Sequence, residues 1–314
     1  MKLTELPAAL RPDGRLEAER AGIDAQLSPP VAIAAPQRQT VPIVFCSPHS
    51  GRDYPAPFLM ASRLDALSLR RSEDAFVDQL FLPAVTYGAP LLAARFPRAY
   101  LDVNREPYEL DPRLIEGPIP RGANTQSARV AGGLGTVPRL VADGEDIYPG
   151  RLPIDVVLQR IDRLYHPFHA ALAEMISATK QQFGVALLVD CHSMPSTPTG
   201  QTASPRPHFV IGDRFGTSCA PEITRTVMRT LSRGGFEVVA NRPYAGGFIT
   251  EHYGRPNNRI HAIQIEINRA LYLQEASLEP SAEFAGFAHV IENLISALAA
   301  MSEAWISPGR VAAE

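Results

Sequence analysis

A series of short apolar segments, separated by stretches with helical periodicity, constrains the fold of this chain more than any other feature. Seven segments rich in Val, Ile and Leu have the length of single strands: 41–47, 89–96, 99–103, 185–193, 207–213, 236–241 and 261–269. Four longer segments are predicted as helices: 72–85, 155–184, 220–233 and 281–303. Strands that alternate with helices predict an α/β fold, in which a mostly parallel sheet lies between two layers of helices.

The chain is predicted to form one α/β domain over residues 41–314. Residues 1–40 are rich in Ala, Pro and Arg and show weak periodicity, so we expect an irregular segment on the domain surface. Residues 104–153 carry many Pro and Gly and have no clear period. A loop of this length in a compact domain is often a lid or a binding element, and we expect this one to close over a substrate.

Composition and charge narrow the range of partners. A net charge of −3 over 314 residues gives no reason to expect nucleic acid or an anionic membrane. No apolar run approaches the ~20 residues that cross a bilayer, and the first forty residues lack the pattern of a signal peptide. Three cysteines, Cys46, Cys191 and Cys219, cannot form a disulfide framework. We therefore expect a soluble, cytoplasmic protein without a nucleic-acid or membrane partner, while its oligomeric state stays open.

Four of the predicted strands end in polar side chains. The strand ends carry His49; Asp102, Asn104 and Arg105; Asp190, His192 and Ser193; and Glu266, Asn268 and Arg269. Ligands of open α/β sheets bind outside the carboxyl ends of the strands. These side chains are therefore predicted to line one site.

The residue types at these strand ends indicate a catalytic metal. His49 and His192 could hold an ion together with a carboxylate, either Glu73 or Asp74, and leave a position open for water. Glu266 would then be available as a general base.

Structural interpretations of the same residues stand beside the catalytic one. Each histidine could simply be hydrogen-bonded at a strand end, Glu266 could be a salt-bridged core carboxylate, and Arg105 could pair with Asp102. His166 and His169 on the long helix have metal-pair spacing, but Pro167 interrupts the helix there, which favours a structural role.

Seven stretches form an ordered set of motifs: 47–51, 72–81, 101–105, 166–172, 189–193, 241–254 and 257–272. This set, which spans roughly residues 41–275, resembles the N-formylglutamate amidohydrolase family, which is related to zinc carboxypeptidases and aspartoacylase-like deacylases. The resemblance implies a three-layer α/β/α fold with a mostly parallel, mixed central sheet of the phosphorylase/hydrolase-like, zinc carboxypeptidase-related type.

The resemblance also implies a metal site. Its ligands would be His49, Asp74 and His192, holding one zinc ion, with manganese or cobalt as other ions that such a set binds. Asp74 is preferred to Glu73 because related motifs usually keep an Asp in this register. The related carboxypeptidases take their acid three residues after the first histidine, where this chain has Arg52.

Roles toward the substrate are implied in the same way. Asn104 and Arg105 resemble a pair that binds the substrate carboxylate, Arg98 resembles an arginine that polarises the scissile carbonyl, and Glu266 resembles the general base. Further substrate contacts are expected from Ser193, Gly246, Gly247 and Thr250.

The implied reaction is hydrolysis of N-formyl-L-glutamate to formate and L-glutamate, a step of histidine degradation. A deacylase of another N-acyl amino acid would use the same residues. A cysteine-dependent amidase is a further alternative, since Cys46 and Cys191 neighbour the histidines. Cys191 and His192 are adjacent on a strand, however, so their side chains should point to opposite faces. The last alternative is an inactive homologue that only binds a small molecule or metal.

Overall fold

The computed structural model describes residues 12–141, 144–197 and 206–306. Two compact units divide these residues. Unit 1 comprises the described parts of Met1–Ala32, His49–Glu73 and Ala94–Ala170, and unit 2 comprises those of Ile33–Pro48, Asp74–Ala93 and Ala171–Glu314.

Strands and helices alternate along most of the chain. The strands are β1 (Val31–Ala34), β2 (Ile43–Ser47), β3 (Leu91–Ala94), β4 (Ile115–Glu116), β5 (Leu152–Pro153), β6 (Ala186–Met194), β7 (Phe209–Gly212), β8 (Val238–Ala240), β9 (Ile260–Asn268), β10 (Leu273–Gln274) and β11 (Glu279–Pro280). The helices are α1 (Pro12–Gln26), α2 (Ala56–Ala61), α3 (Ala66–Arg70), α4 (Val77–Phe81), α5 (Ala128–Ala131), α6 (Ile154–Arg160), α7 (His166–Phe183), α8 (Pro221–Arg233), α9 (Phe248–Tyr253) and α10 (Phe284–Ile306).

A seven-stranded sheet forms the core of unit 2, in the order β1-β3-β2-β6-β9-β7-β8. Strand β2 pairs in parallel with β3 and with β6, and β6 pairs in parallel with β9. Strand β7 runs antiparallel to β9 and parallel to β8. The sheet is therefore mixed and mostly parallel, as predicted.

The two faces of this sheet differ in chemistry because side chains alternate along each strand. Val189, Cys191 and Ile265 belong to an apolar cluster with residues of α4, α8 and α10. Asp190 lies on the opposite face and accepts a hydrogen bond from Thr250 of α9. Helices thus cover both faces, which confirms the predicted fold class.

Helix α10 is the most apolar helix of unit 2. Among the described residues, its segment Phe284–Trp305 is the one helix long and apolar enough, by length and composition alone, to cross a membrane. Phe287, Ile291, Leu294 and Leu298 recur at helical spacing and are buried in the core cluster. Packing inside unit 2 therefore accounts for the apolar face of this helix.

A buried ion pair organises unit 1. Arg160 on α6 is 1% exposed, and its Nε lies 2.5 Å from Oε1 of Glu19 on α1. Its guanidinium also lies 4.0 Å from the ring centre of Tyr100 and donates to the hydroxyl of Tyr148 at 2.6 Å. Because an unpaired buried charge is costly, this pairing holds α1 in place within unit 1.

The N-terminal expectation is wrong for the part of residues 1–40 that is described. Residues 12–26 form α1 and residues 31–34 form β1; the first eleven residues lie outside the described part of the chain. Residues 99–103, all of them described, form turns and irregular backbone and not a strand. The N–H groups of Tyr100 and Leu101 bond to the carbonyl of Pro97, which bends the chain there.

The long segment 104–153 is more ordered than expected. Apart from residues 142–143, which are not described, it contains β4, α5 and β5. Asp111 is buried and binds Arg113 and Arg139, while Arg139 also pairs with Asp146. Ion pairs and buried apolar residues thus fix the segment within unit 1.

Candidate active site

Asp190 and His192 lie two residues apart on β6 and share the polar face of the sheet. His192 is 3% exposed, with Nδ1 at 2.9 Å from Oδ2 of Asp74 and Nε2 at 3.0 Å from Oδ1 of Asp190. Burial by itself lowers the pKa of His192, but Asp190 and Asp74 raise it well above the usual value. The imidazole is therefore held between two buried carboxylates.

Asp74 is also held from its other side. Arg269 donates from Nη2 to Oδ1 of Asp74 at 3.1 Å, and from Nε to Oγ of Ser193 at 3.1 Å. Ser193, predicted to contact substrate, thus lies against the guanidinium that orients the carboxylate. Arg269 was predicted only as part of a polar strand end, and its contact with Asp74, 195 residues away in sequence, gave no local signal.

Glu73 has different partners in unit 1. Its carboxylate accepts a hydrogen bond from the hydroxyl of Tyr54 at 2.7 Å. It also forms an ion pair with Arg70, whose Nε lies 3.3 Å away. Burial raises the pKa of Glu73, and these two partners oppose that shift. The contact with His192 is made by Asp74, the preferred one of the two acids.

Glu266 lies beside His192 across the strand pair. The register of β6 and β9 pairs His192 with Glu266, and parallel partners project from the same face. Gln264, two residues earlier on β9, donates to Oε1 of Glu266 at 2.9 Å and accepts the N–H of Gly247 at 2.7 Å. Gln264 was not predicted, although its two-residue spacing from Glu266 places it on the same face.

The Gly246–Gly247 turn requires glycine. Gly246 has φ of 116°, and a Cβ atom there would lie 3.0 Å from the Thr250 side chain. Thr250 is fully buried and donates to Oδ2 of Asp190 at 3.2 Å. The predicted substrate loop is therefore linked to the His192 neighbourhood through Gln264 and Thr250.

In unit 1, the Asp102 carboxylate contacts four of the candidate residues. His49 Nε2 lies 2.8 Å from Oδ1 of Asp102, Arg98 lies 2.8 Å from Oδ2, and Arg105 lies 3.4 Å from the same oxygen. The N–H of Asn104 donates to Oδ1 at 2.9 Å. Burial alone would raise the pKa of Asp102, but Arg105, His49 and Arg98 hold it well below the usual range. Asp102 is therefore a buried anion that orients an imidazole and two guanidinium groups.

The two arginines on Asp102 differ in exposure. The Arg98 side chain is 24% exposed and that of Arg105 is 10% exposed. Arg105 also donates to the carbonyls of Leu134 at 2.9 Å and of Asn104 at 2.7 Å. The pairing of Arg105 with Asp102, anticipated as a structural alternative, is present.

The turn after His49 leaves no room for a side chain. A Cβ atom on Gly51 would lie 2.1 Å from the carbonyl oxygen of Phe96. Glycine at this position therefore lets the segment that carries His49 pack directly on the backbone before Arg98.

The buried residues His49, Asp74 and His192 are candidate metal ligands. Each offers one ligand atom, a ring nitrogen or a carboxylate oxygen. Two imidazoles and one carboxylate are a donor set compatible with zinc.

The cysteines are poorly suited to nucleophilic catalysis. Burial and the neighbouring Asp190 raise the pKa of both Cys46 and Cys191 well above the usual value. Cys191 also lies in the apolar cluster, on the face away from His192. Burial raises the pKa of Cys219 to about 11. A thiolate is the reactive form, so these environments disfavour the cysteine alternative.

His166 and His169 have separate surroundings. His166 is exposed and lies 3.9 Å from Asp162, with its ring near Tyr108. His169 Nε2 lies 2.9 Å from the carbonyl of Val103. The two rings thus have different partners, and their structural role stays a prediction.

Comparison with protein families gives a match over most of the chain. The family model for N-formylglutamate amidohydrolase matches residues 41–273. That range contains every candidate site residue described above.

Proteins of two Pseudomonas species and two solved structures are similar to this chain. The N-formylglutamate deformylase of Pseudomonas aeruginosa is 28% identical over 272 residues, covering 86% of this chain and 95% of the relative. That of Pseudomonas putida is 29% identical over 238 residues, covering 75% of this chain and 83% of the relative. The crystal structure of N-formylglutamate amidohydrolase from Ralstonia eutropha JMP134 superposes with a TM-score of 0.83 at 36% identity, covering 87% and 98%. The gene product Atu2144 from Agrobacterium tumefaciens, at 19% identity and a TM-score of 0.62 over 87% and 96% of the chains, shares the fold.

Proposed function

This chain belongs to the N-formylglutamate amidohydrolase family, and on that premise we propose that it hydrolyses N-formyl-L-glutamate to formate and L-glutamate. The observation that carries the proposal is the family match over residues 41–273, together with relatives named for this reaction that align over most of their length. The reaction cleaves a linear amide, in which water supplies the hydroxyl to formate and the proton to the amine.

We propose that His49, Asp74 and His192 bind a divalent cation, with zinc as the expected ion. The surroundings of both histidines support this assignment: an aspartate lies at Nε2 of each ring, Asp102 at His49 and Asp190 at His192. Metal-ligating histidines almost always donate their second ring N–H to such a partner. Nδ1 of each ring is then the nitrogen assigned to the ion. When bound, zinc supplies Lewis-acid activation of water and of a carbonyl oxygen.

Proton transfer is assigned to Glu266. The carboxylate would accept a proton from the attacking water and deliver it to the amine that leaves. Its position as register partner of His192 and the hydrogen bond from Gln264 support this role, because they hold the carboxylate on the polar face of the sheet. General acid–base catalysis of this kind contributes about 10²–10⁴-fold to rate.

Recognition of the substrate is assigned to the residues on Asp102. Arg98 has the more exposed guanidinium and would stabilise the oxyanion that develops on the formyl oxygen. Asn104 and Arg105 would bind a carboxylate of the substrate. We assign further substrate contacts to Ser193, Gly246 and Gly247, and a role through Asp190 to Thr250.

The test is formate release from N-formyl-L-glutamate by the purified protein, before chelation, after chelation, and after zinc is restored. We expect activity that is lost to the chelator and recovered with zinc. Iodoacetamide treatment in parallel should leave activity unchanged, since the cysteines are buried with raised pKa values.

Each rival predicts a different result of this assay. Loss of activity on alkylation but not on chelation would identify a cysteine amidase. Formate absent in all arms, with acetate or a longer acid released from other N-acyl amino acids, would identify another deacylase. An inactive homologue would bind zinc and release no acid from any of these substrates.

A further inference from the structure

The helix that follows the long segment 104–153 contains an irregular turn. Between α6 and α7, residues Ile161–Tyr165 form a π-helical turn, in which the N–H of His166 bonds to the carbonyl of Ile161. Pro167 is the second residue after this turn, and in a regular α-helix its ring would clash with the carbonyl of Arg163. The extra residue accommodates the proline, and such π-turns are frequent at functional sites.

Two side chains, one at the end of this turn and one four residues later on α7, bind the same short backbone segment. The hydroxyl of Tyr165 donates to the carbonyl of Arg105 at 2.7 Å, and Nε2 of His169 lies 2.9 Å from the carbonyl of Val103. Because a carbonyl only accepts, Nε2 of His169 carries the hydrogen. The two residues are four positions apart on the helix, and the centres of their rings lie 4.3 Å apart. They therefore act on the segment 103–105 as one unit.

These bonds fix three successive peptide planes. His169 holds the plane between Val103 and Asn104, and Tyr165 holds the plane that follows Arg105. The plane between them is held by the Arg105 guanidinium, which donates to the carbonyl of Asn104 at 2.7 Å. Because peptide units are planar, fixing the planes on both sides of a Cα atom fixes the direction in which its side chain leaves the backbone.

We propose that Tyr165 and His169 are positioning residues for recognition of the substrate carboxylate, acting through the backbone of Val103–Arg105. They set the directions of Asn104 and Arg105, the two side chains assigned to that carboxylate, and the inference rests on the proposed function for this assignment. The role is distinct from metal binding by the His166–His169 pair and from ordinary core packing.

The test separates positioning from structural support through the split between KM and kcat. Tyr165→Phe removes the hydroxyl and keeps the ring, and should raise KM for N-formyl-L-glutamate about fivefold, the effect of one ordinary hydrogen bond, with kcat nearly unchanged. His169→Leu should do the same, while His169→Gln, whose amide can donate to Val103, should restore KM. Tyr108→Phe is the matched control and should leave KM unchanged, since the Tyr108 ring lies near the ring of His166 on α7.

Hydrogen exchange at the amides of Asn104 and Arg105 provides a readout independent of turnover. Faster exchange there in Tyr165→Phe than in Tyr108→Phe supports the proposal, and equal exchange overturns it. A lowered melting temperature with unchanged KM also overturns it, because that result describes structural support alone. A wild-type protein that releases no formate contradicts the proposed function instead, and the exchange comparison still decides whether the segment is held.

Discussion

At the scale of single residues, the candidate histidines depend on aspartates that lie behind them. Asp102 and Asp190 each contact Nε2 of a histidine and each has further partners. Asp190 could be anticipated, because it precedes His192 by two positions on a strand. Its orienting role could not, because that role depends on a rotamer and on Thr250 from another element. The partnership of Asp102 with His49 likewise depends on tertiary structure, 53 residues apart in sequence.

Replacement of Asp190 by Asn should weaken zinc binding. The change keeps the size of the side chain but removes the charge that orients His192, and losses of this kind typically cost about 10–100-fold in metal affinity. Competition with a chromophoric chelator measures the affinity. Glu222→Gln, an exposed change on α8, is the control, and equal affinities in the two variants would remove Asp190 from the metal site.

Glu266→Gln should abolish turnover while zinc stays bound. The amide cannot accept the proton of the attacking water, so we expect kcat to fall by about 10²–10⁴-fold. Formate release gives kcat, and metal analysis of the dialysed protein gives zinc content, again beside Glu222→Gln. Turnover retained within a few-fold would exclude Glu266 as the general base.

At the scale of elements, short buried strands were predictable and irregular segments were not. The apolar runs at 41–47, 185–193 and 261–269 became β2, β6 and β9 because their length and β-branched residues suit a buried parallel sheet. The run 99–103 is equally apolar, yet Pro97 bends it into a turn. The apolar residues are buried both in the three strands and in the segment 99–103. Only tertiary hydrogen bonding distinguishes a strand from a buried turn.

The ion pairs of the segment 104–153 predict how the free energy of unfolding depends on pH. Burial alone would raise the pKa of Asp111, but hydrogen bonds from Arg113 and Arg139 lower it below the usual value. A lowered pKa in the folded state stabilises the fold above the unfolded-state value near ~4, and this contribution is lost as the pH falls through the folded-state pKa. Asp111→Asn should therefore lower the free energy of unfolding by about 2 kcal/mol at pH 7, and the difference from wild type should shrink below pH ~4.

Urea unfolding at pH 7 and at pH 3 measures this difference. Glu116→Gln, an exposed change in the same segment, is the control at both pH values. A difference between Asp111→Asn and wild type that stays constant with pH would show that the ionised carboxylate is not its source.

At the scale of the whole molecule, the N-terminal helix is a structural part of unit 1. Helix α1 has little amphipathic pattern, so its periodicity gave no reason to expect a packed helix. A buried acid, Glu19, anchors this helix by pairing with Arg160 some 140 residues later. A buried pair of distant residues leaves no periodic trace in either segment, which is why sequence reasoning placed this region on the surface.

Glu19→Gln should destabilise the protein. It leaves the guanidinium of Arg160 buried without its anionic partner, and breaking a buried pair in this way costs about 3–5 kcal/mol. The urea midpoint should fall accordingly. Glu17→Gln, two residues earlier on the exposed side of α1, should leave it unchanged, and equal midpoints in the two variants would show that the pair does not anchor the helix.

The pairing of His192 with Glu266 across β6 and β9 also bears on how this chain can change over generations. An insertion or deletion of one residue ahead of either side chain within its strand would turn imidazole and carboxylate to opposite faces. Substitution of the apolar residues that flank His192 or Glu266 in these strands preserves the alternation. A change in the length of either strand destroys it in one step. Length variation among descendants of this chain is therefore expected in the connecting segments, and these two strands should be inherited at constant length.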